Sequence, residues 1–231
     1  MALIQLGGGV TDIRGSIGGT TYSRNAAGNY ARRRVKPINP RSNTQDMTRA
    51  ILSYLSNYWA KTLTEIQRTA WRMYAAATNF TNKLGQTIHI NGMASFVRVN
   101  GLLLYTDQTL QAAAPVLTGH AGAMEFSFTA DPTLDKLSIA EPSGSWVETD
   151  EDDRLYLWQS RPMSAGRLTS PSGWKFLSTI VGGIVPPTWP YEPDSLYPME
   201  EDQQVAVKMI HQDAEGRVSS PTIQVMAAVS P

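Results

Sequence analysis

Near residue 122 the apolar pattern of this chain changes period, from about 3.6 residues to two, and that change restricts the architectures open to it. Before it, Met47, Ile51, Tyr54, Leu55, Tyr58 and Trp59 recur along one helical face. Asn43 or Thr44 is expected to cap this helix, with Asp46 in its positive first turn. A second stripe, Ile66, Ala70, Trp71, Tyr74 and Ala75, follows Thr64-Glu65-Ile66-Gln67. That tetrad fits a capping box, with Thr64 as cap and Gln67 reaching back. The short link over residues 60–63 makes the two helices an antiparallel hairpin with Trp59 and Trp71 in its core. A third helix is expected after Asn91, carrying Met93, Phe96, Val97 and Leu103 or Leu104.

Beyond residue 122, Met124, Phe126 and Phe128 alternate with Glu125, Ser127 and Thr129, and similar short runs recur at 137–139, 155–158, 174–177, 205–210 and 223–225. Asp131-Pro132, Ser172-Gly173 and Glu215-Gly216 punctuate them as turns. The pattern predicts an antiparallel β-sandwich of immunoglobulin or fibronectin type III character, with Trp146, Trp158 and Trp174 in its core. The last hairpin, residues 205–227, resembles the closing strands of fibronectin type III domains. The expected chain is α+β in four parts. An extended Gly- and Arg-rich arm spans residues 1–43 and a small helical domain 44–110. A linker covers 111–121, and the sandwich occupies 122–231.

The arm is dense in glycine and ends in Pro37 and Pro40. Glycine makes backbone order costly and contributes no apolar area, so the arm is expected to be flexible alone. Thr20-Thr21-Tyr22-Ser23 and Asn29-Tyr30-Ala31-Arg32 read as two short strands turning at residues 25–28, a hairpin suited to a partner's sheet edge.

Formal charge sums to zero but is split. Through His120 there are thirteen Lys and Arg against four acids, a net +9; the remainder carries −9. The basic half suits an acidic protein surface or, as a minority reading, nucleic acid through Arg32, Arg33, Arg34 and Lys36. The acidic half suits solvent or the basic half of a neighbouring copy. The run at residues 148–153 is expected to be a solvated hairpin tip. Around Trp189 and Tyr191, a proline-rich loop is read in two ways, as an anchor for a partner or as cover for an open sheet edge.

Several chemistries find no footing. Cysteine is absent, which removes thiolate catalysis, disulfides and Cys-based zinc sites. The glycines at 15–19 lack a P-loop lysine, and no nucleophile elbow surrounds Ser195 or His211. No enzyme activity, metal or cofactor is expected. Apolar runs fall short of the roughly 20 residues that span a bilayer, and no secretory signal is expected at the N-terminus.

Residues Gly15 to Tyr30 read G-x-I-G-G-T-x-Y-S-R-N-x-x-G-x-Y, followed by R-x-R-V-x-P-x-N-P from Arg32 to Pro40. Then come Gln45 with Arg49, and a Trp59 to Trp71 segment close to W-x-x-L-T-x-x-Q-R-x-x-W, with one extra residue before Leu63. This combination resembles a family of poorly characterised bacteriophage and prophage structural proteins. The resemblance covers about a quarter of the chain and implies phage origin and presence in the virion, made in the host cytoplasm. Arm, charge polarity and β domain together favour a capsid decoration or cement protein, self-associating in the assembly and contacting other virion proteins. Tyr22, Arg24, Tyr30, Arg32, Arg33, Arg34 and Lys36 are the expected arm contacts. A neck, tail or baseplate component and a nucleic-acid-binding packaging protein are the alternatives.

Overall fold

The structure is a computed structural model. It describes the chain except residues 1, 11, 26–27, 37–38, 41, 83, 117–118, 123, 145, 147–149, 151, 167–169, 184–186 and 230–231. The fold is mixed α+β, with three helices and several antiparallel sheets among the described residues, divided into two compact units, Met1–Ala114 and Pro115–Pro231.

In the first unit, strands β1 (Ala2–Leu3), β2 (Gly15–Ile17), β3 (Thr20–Asn25) and β4 (Gly28–Arg33) form one sheet in the order β1-β4-β3-β2. Gly18 and Gly19 make the two-residue turn between β2 and β3. Gly18 has φ +56°, the left-handed backbone that tight hairpin turns require. The arm expected to be flexible therefore contains a paired sheet, which includes the expected hairpin as β3 and β4. The turn at Ala26-Ala27 lies outside the described residues, as does Pro37.

Helices α1 (Asn43–Lys61), α2 (Glu65–Ala77) and α3 (Gly92–Tyr105) follow, with a two-stranded ribbon of β5 (Phe80–Thr81) and β6 (Thr87–Ile88) before α3. The capping box is present: the Gln67 N–H donates to Thr64 Oγ1 at 3.3 Å, and Thr64 N–H donates to Gln67 Oε1 at 2.9 Å. The first helix starts one residue earlier than expected. Its cap is Ser42, which makes no side-chain capping bond, rather than Asn43 or Thr44. Phe96 lies within 5.4–6.2 Å of Tyr58, Trp59 and Trp71, an aromatic centre that buries Leu55 and Leu63 with it.

Ile66 does not join this core and is 83% exposed. Trp71, Tyr74 and Ala75 set the buried side of α2, and five residues at 100° each carry Ile66 about 140° away from Trp71. Residues 111–112, read as linker, are held by the helices. Trp71 Nε1 donates to the Ala112 carbonyl at 3.0 Å, and buried Asn100 exchanges hydrogen bonds with the Gln111 backbone at 2.7 and 3.0 Å.

The second unit contains a hairpin of β7 (Phe128–Asp131) and β8 (Lys136–Ile139) and a four-stranded antiparallel sheet. The sheet is built from β9 (Arg154–Gln159), β10 (Lys175–Val181), β11 (Gln204–Gln212) and β12 (Thr222–Ala227), in the order β10-β9-β11-β12. Leu155, Leu157, Val205, Val207 and Met209 point from one sheet face into a core shared with Phe128, Ala130, Leu137 and Ile139 of the hairpin. Met124 and Phe126 are buried alternately beside it, as their period of two predicts.

Of the expected core tryptophans, Trp146 packs against this core. Trp158 instead lies on the opposite sheet face, because it alternates with the buried Leu155 and Leu157 along β9. There Lys208 Nζ sits 4.4 Å from the Trp158 ring centroid and 5.1 Å from that of Trp174. Asp153, expected at a solvated tip, is buried and bonds through Oδ1 to His211 Nε2. Of the same run, residues 148, 149 and 151 lie outside the described residues.

Candidate partner-binding surface

The residues singled out in the arm fall on two faces of the N-terminal sheet. Register pairs Thr20 with Arg33, Tyr22 with Ala31 and Arg24 with Asn29, and continues across β2 as Ile17 opposite Thr20. Ile17, Tyr22, Arg24 and Arg33 therefore share one face. Tyr30 and Arg32 lie on the other, with Leu3 opposite Tyr30. Arg34 extends the ladder by donating its N–H to the Gly19 carbonyl at 2.8 Å, and Lys36 follows in exposed chain.

A sheet ordinarily buries at least one face. Here no described side chain of β1 to β4 is buried, and Tyr22 and Tyr30 are half-exposed. Ile17 is 73% exposed. Small isolated sheets gain little from their ladders alone and depend on apolar burial for stability. The electrostatics point the same way. Asp12 is taken by Arg14, Asp46 by Arg49, and Glu65 by both Arg68 and Arg72, at 2.6–2.9 Å. Among the described residues, Arg24, Arg32, Arg33, Arg34 and Lys36 enter no ion pair. The surface combines half-buried tyrosines and the exposed Ile17 with cations that no described carboxylate neutralises.

The motif residues downstream have a structural task. Arg68 donates from Nη1 to the carbonyls of Trp59 and Ala60, both at 3.2 Å, closing the end of α1 while its Nε holds Glu65. Arg49 donates to Asn39 Oδ1 at 3.0 Å, which fastens the chain leaving the arm to the first turns of α1. Glu65 is held below its ordinary pKa, first by its hydrogen bond to Arg72 and then by that to Arg68.

Trp189 and Tyr191, the other expected contact residues, lie in the second unit and pack against its core. Tyr191 exchanges two backbone hydrogen bonds of 2.9 Å with Ile139, covering the edge of β8, and the Trp189–Pro190 peptide is cis. Pro186 of this loop lies outside the described residues.

The buried Asp153–His211 pair is enclosed. The second ring nitrogen of His211 is 3.3 Å from the Gly122 carbonyl, and the Ser219 hydroxyl accepts from the His211 backbone N–H rather than meeting its ring. Among the described residues, no group of three or more His, Cys, Asp or Glu side chains is placed to hold a metal. Among the described residues, no helix is long and apolar enough to cross a membrane. The sequence matches no protein-family model and no curated protein.

Proposed function

We propose that this chain is a structural component of a bacteriophage virion, a capsid decoration or cement protein held to neighbouring subunits by residues 1–43. One observation carries the reading. No described side chain of the N-terminal sheet is fully buried, and its described guanidinium groups enter no ion pair, as expected of a surface completed by a partner. The resemblance of Gly15 to Trp71 to phage structural proteins supports it. On this reading the β unit is a reduced immunoglobulin- or fibronectin-like sandwich, its acidic surface turned outward.

Removing residues 1–43 is expected to abolish incorporation into particles. The aromatic centre around Phe96 lies outside the deleted segment, so far-UV circular dichroism should still report the helices. Normal incorporation of the truncated chain would overturn the proposal. The packaging alternative makes a different demand: binding to duplex DNA that weakens steeply as salt rises.

A further inference from the structure

We infer that the acceptor for the arm is the second unit of another copy of this chain, at the groove between the β7–β8 hairpin and the end of β12. The inference deepens the anchoring proposal and rests on it for the role of the arm. The groove is about 410 Å³, and its lining includes Leu134, Met226 and Val229, all exposed apolar side chains, with Asp131 and Glu192 among them and Lys136 as a base. Met226 belongs to β12, the outer strand of its sheet, whose Ile223 and Val225 are exposed on the opposite sheet face. An apolar, uncharged outer strand is a template for association unless something covers it.

Charge selects the occupant. The Asp202 N–H donates to the Ala228 carbonyl at 2.9 Å, which sets the Glu200-Glu201-Asp202 turn beside the end of β12. Among the described residues, Asp131, Glu192, Glu200, Glu201 and Asp202 enter no ion pair. The groove is thus apolar in its middle and acidic at its margins. The arm face bearing Ile17 and Tyr22 is its complement, because Arg24 and Arg33 stand four positions apart along the hairpin, about 13 Å. The excess of +9 in one half and −9 in the other matches the same pairing at the scale of the chain. A contact of arm to groove joins different surfaces of two copies, so it propagates head to tail and closes into a ring only where the rotation allows.

The test is the mass of the full chain by sedimentation equilibrium. At about 20 mM salt the mass should rise with concentration above the 25.3 kDa of one chain, and it should fall toward that value near 1 M, where the Debye length is about 3 Å. An arm variant, R24E/R33E, and a groove variant, E192K/E201K, should each remain a single chain. An equimolar mixture of the two should associate again, because each reversed surface then meets its complement. Recovery on mixing also shows that both variants are folded. A wild-type chain that stays single at low salt, variants that associate as wild type does, or a mixture that stays single would each overturn the inference. So would association that begins only when duplex DNA is added. The anchoring proposal has its own readout: if the truncated chain enters particles normally, that reading fails whatever the mass in solution.

Discussion

Asp153 and His211 show how one contact can govern a fold. Both side chains are buried, and the imidazole is a polar partner of the carboxylate inside the β unit. Replacing His211 by Leu leaves the carboxylate without that partner in a medium of low polarity. Leaving a buried polar group short of a hydrogen bond typically costs about 1–3 kcal/mol. Urea unfolding of the full chain followed by tryptophan fluorescence should show that loss, and an unchanged midpoint would contradict it. Glu65 is the opposite case, fully exposed yet held ionised by Arg72 and Arg68. Its folded pKa lies below its unfolded one, so its contribution is present above the ordinary carboxylate range. It is lost as pH falls through the lowered value. A pH series comparing wild type with E65Q should show a stability difference at neutral pH that vanishes in acid and shrinks with salt. Curves that coincide at every pH would contradict this assignment.

At the scale of elements, α2 and α3 approach closely at Gly92. A Cβ at Gly92 would stand 2.8 Å from the Arg72 backbone nitrogen, so Gly92→Ala must push the helices apart. Overpacking of this kind costs about 1–3 kcal/mol, and the helical transition in thermal unfolding should shift accordingly. An unshifted transition would show that the two backbones are not in contact. The helices were readable in advance because their signals are local: a capping box at Thr64 and Gln67, and apolar spacing centred on Trp71 and Phe96. The strands at 155–158 and 205–210 were readable by alternation for the same reason. What escaped was whatever depends on distant partners. Nothing near Asp153 in sequence announces His211, and nothing in Trp158 says that it faces away from the core with Lys208 over its ring. The hairpin of β3 and β4 was legible, but its extension by β1 and β2 escaped, because Ala2–Leu3 pairs with β4 across a glycine-rich stretch, a non-local ladder hidden by composition. Of the candidate surface, Tyr22, Arg24 and the run from Arg32 were legible as exposed, unusual residues. Their division between two faces needed the register, which also brings Ile17 onto the face of Tyr22.

For the whole molecule, two units of opposite charge are built on different principles. One is a helical core with a basic sheet in which no described side chain is fully buried, and the other is an acidic β unit whose outer strand exposes apolar side chains. Each has a surface that its own unit leaves unneutralised, and a protein that acts within a repeating shell has use for both. The central proposal, membership of a phage virion through the arm, is tested most directly by quantitative mass spectrometry of gradient-purified particles from cells that express the chain. A decoration protein predicts copies on the order of hundreds per particle, and roughly six to twelve would move it to a cyclic neck or tail ring. Absence from purified particles would contradict the account.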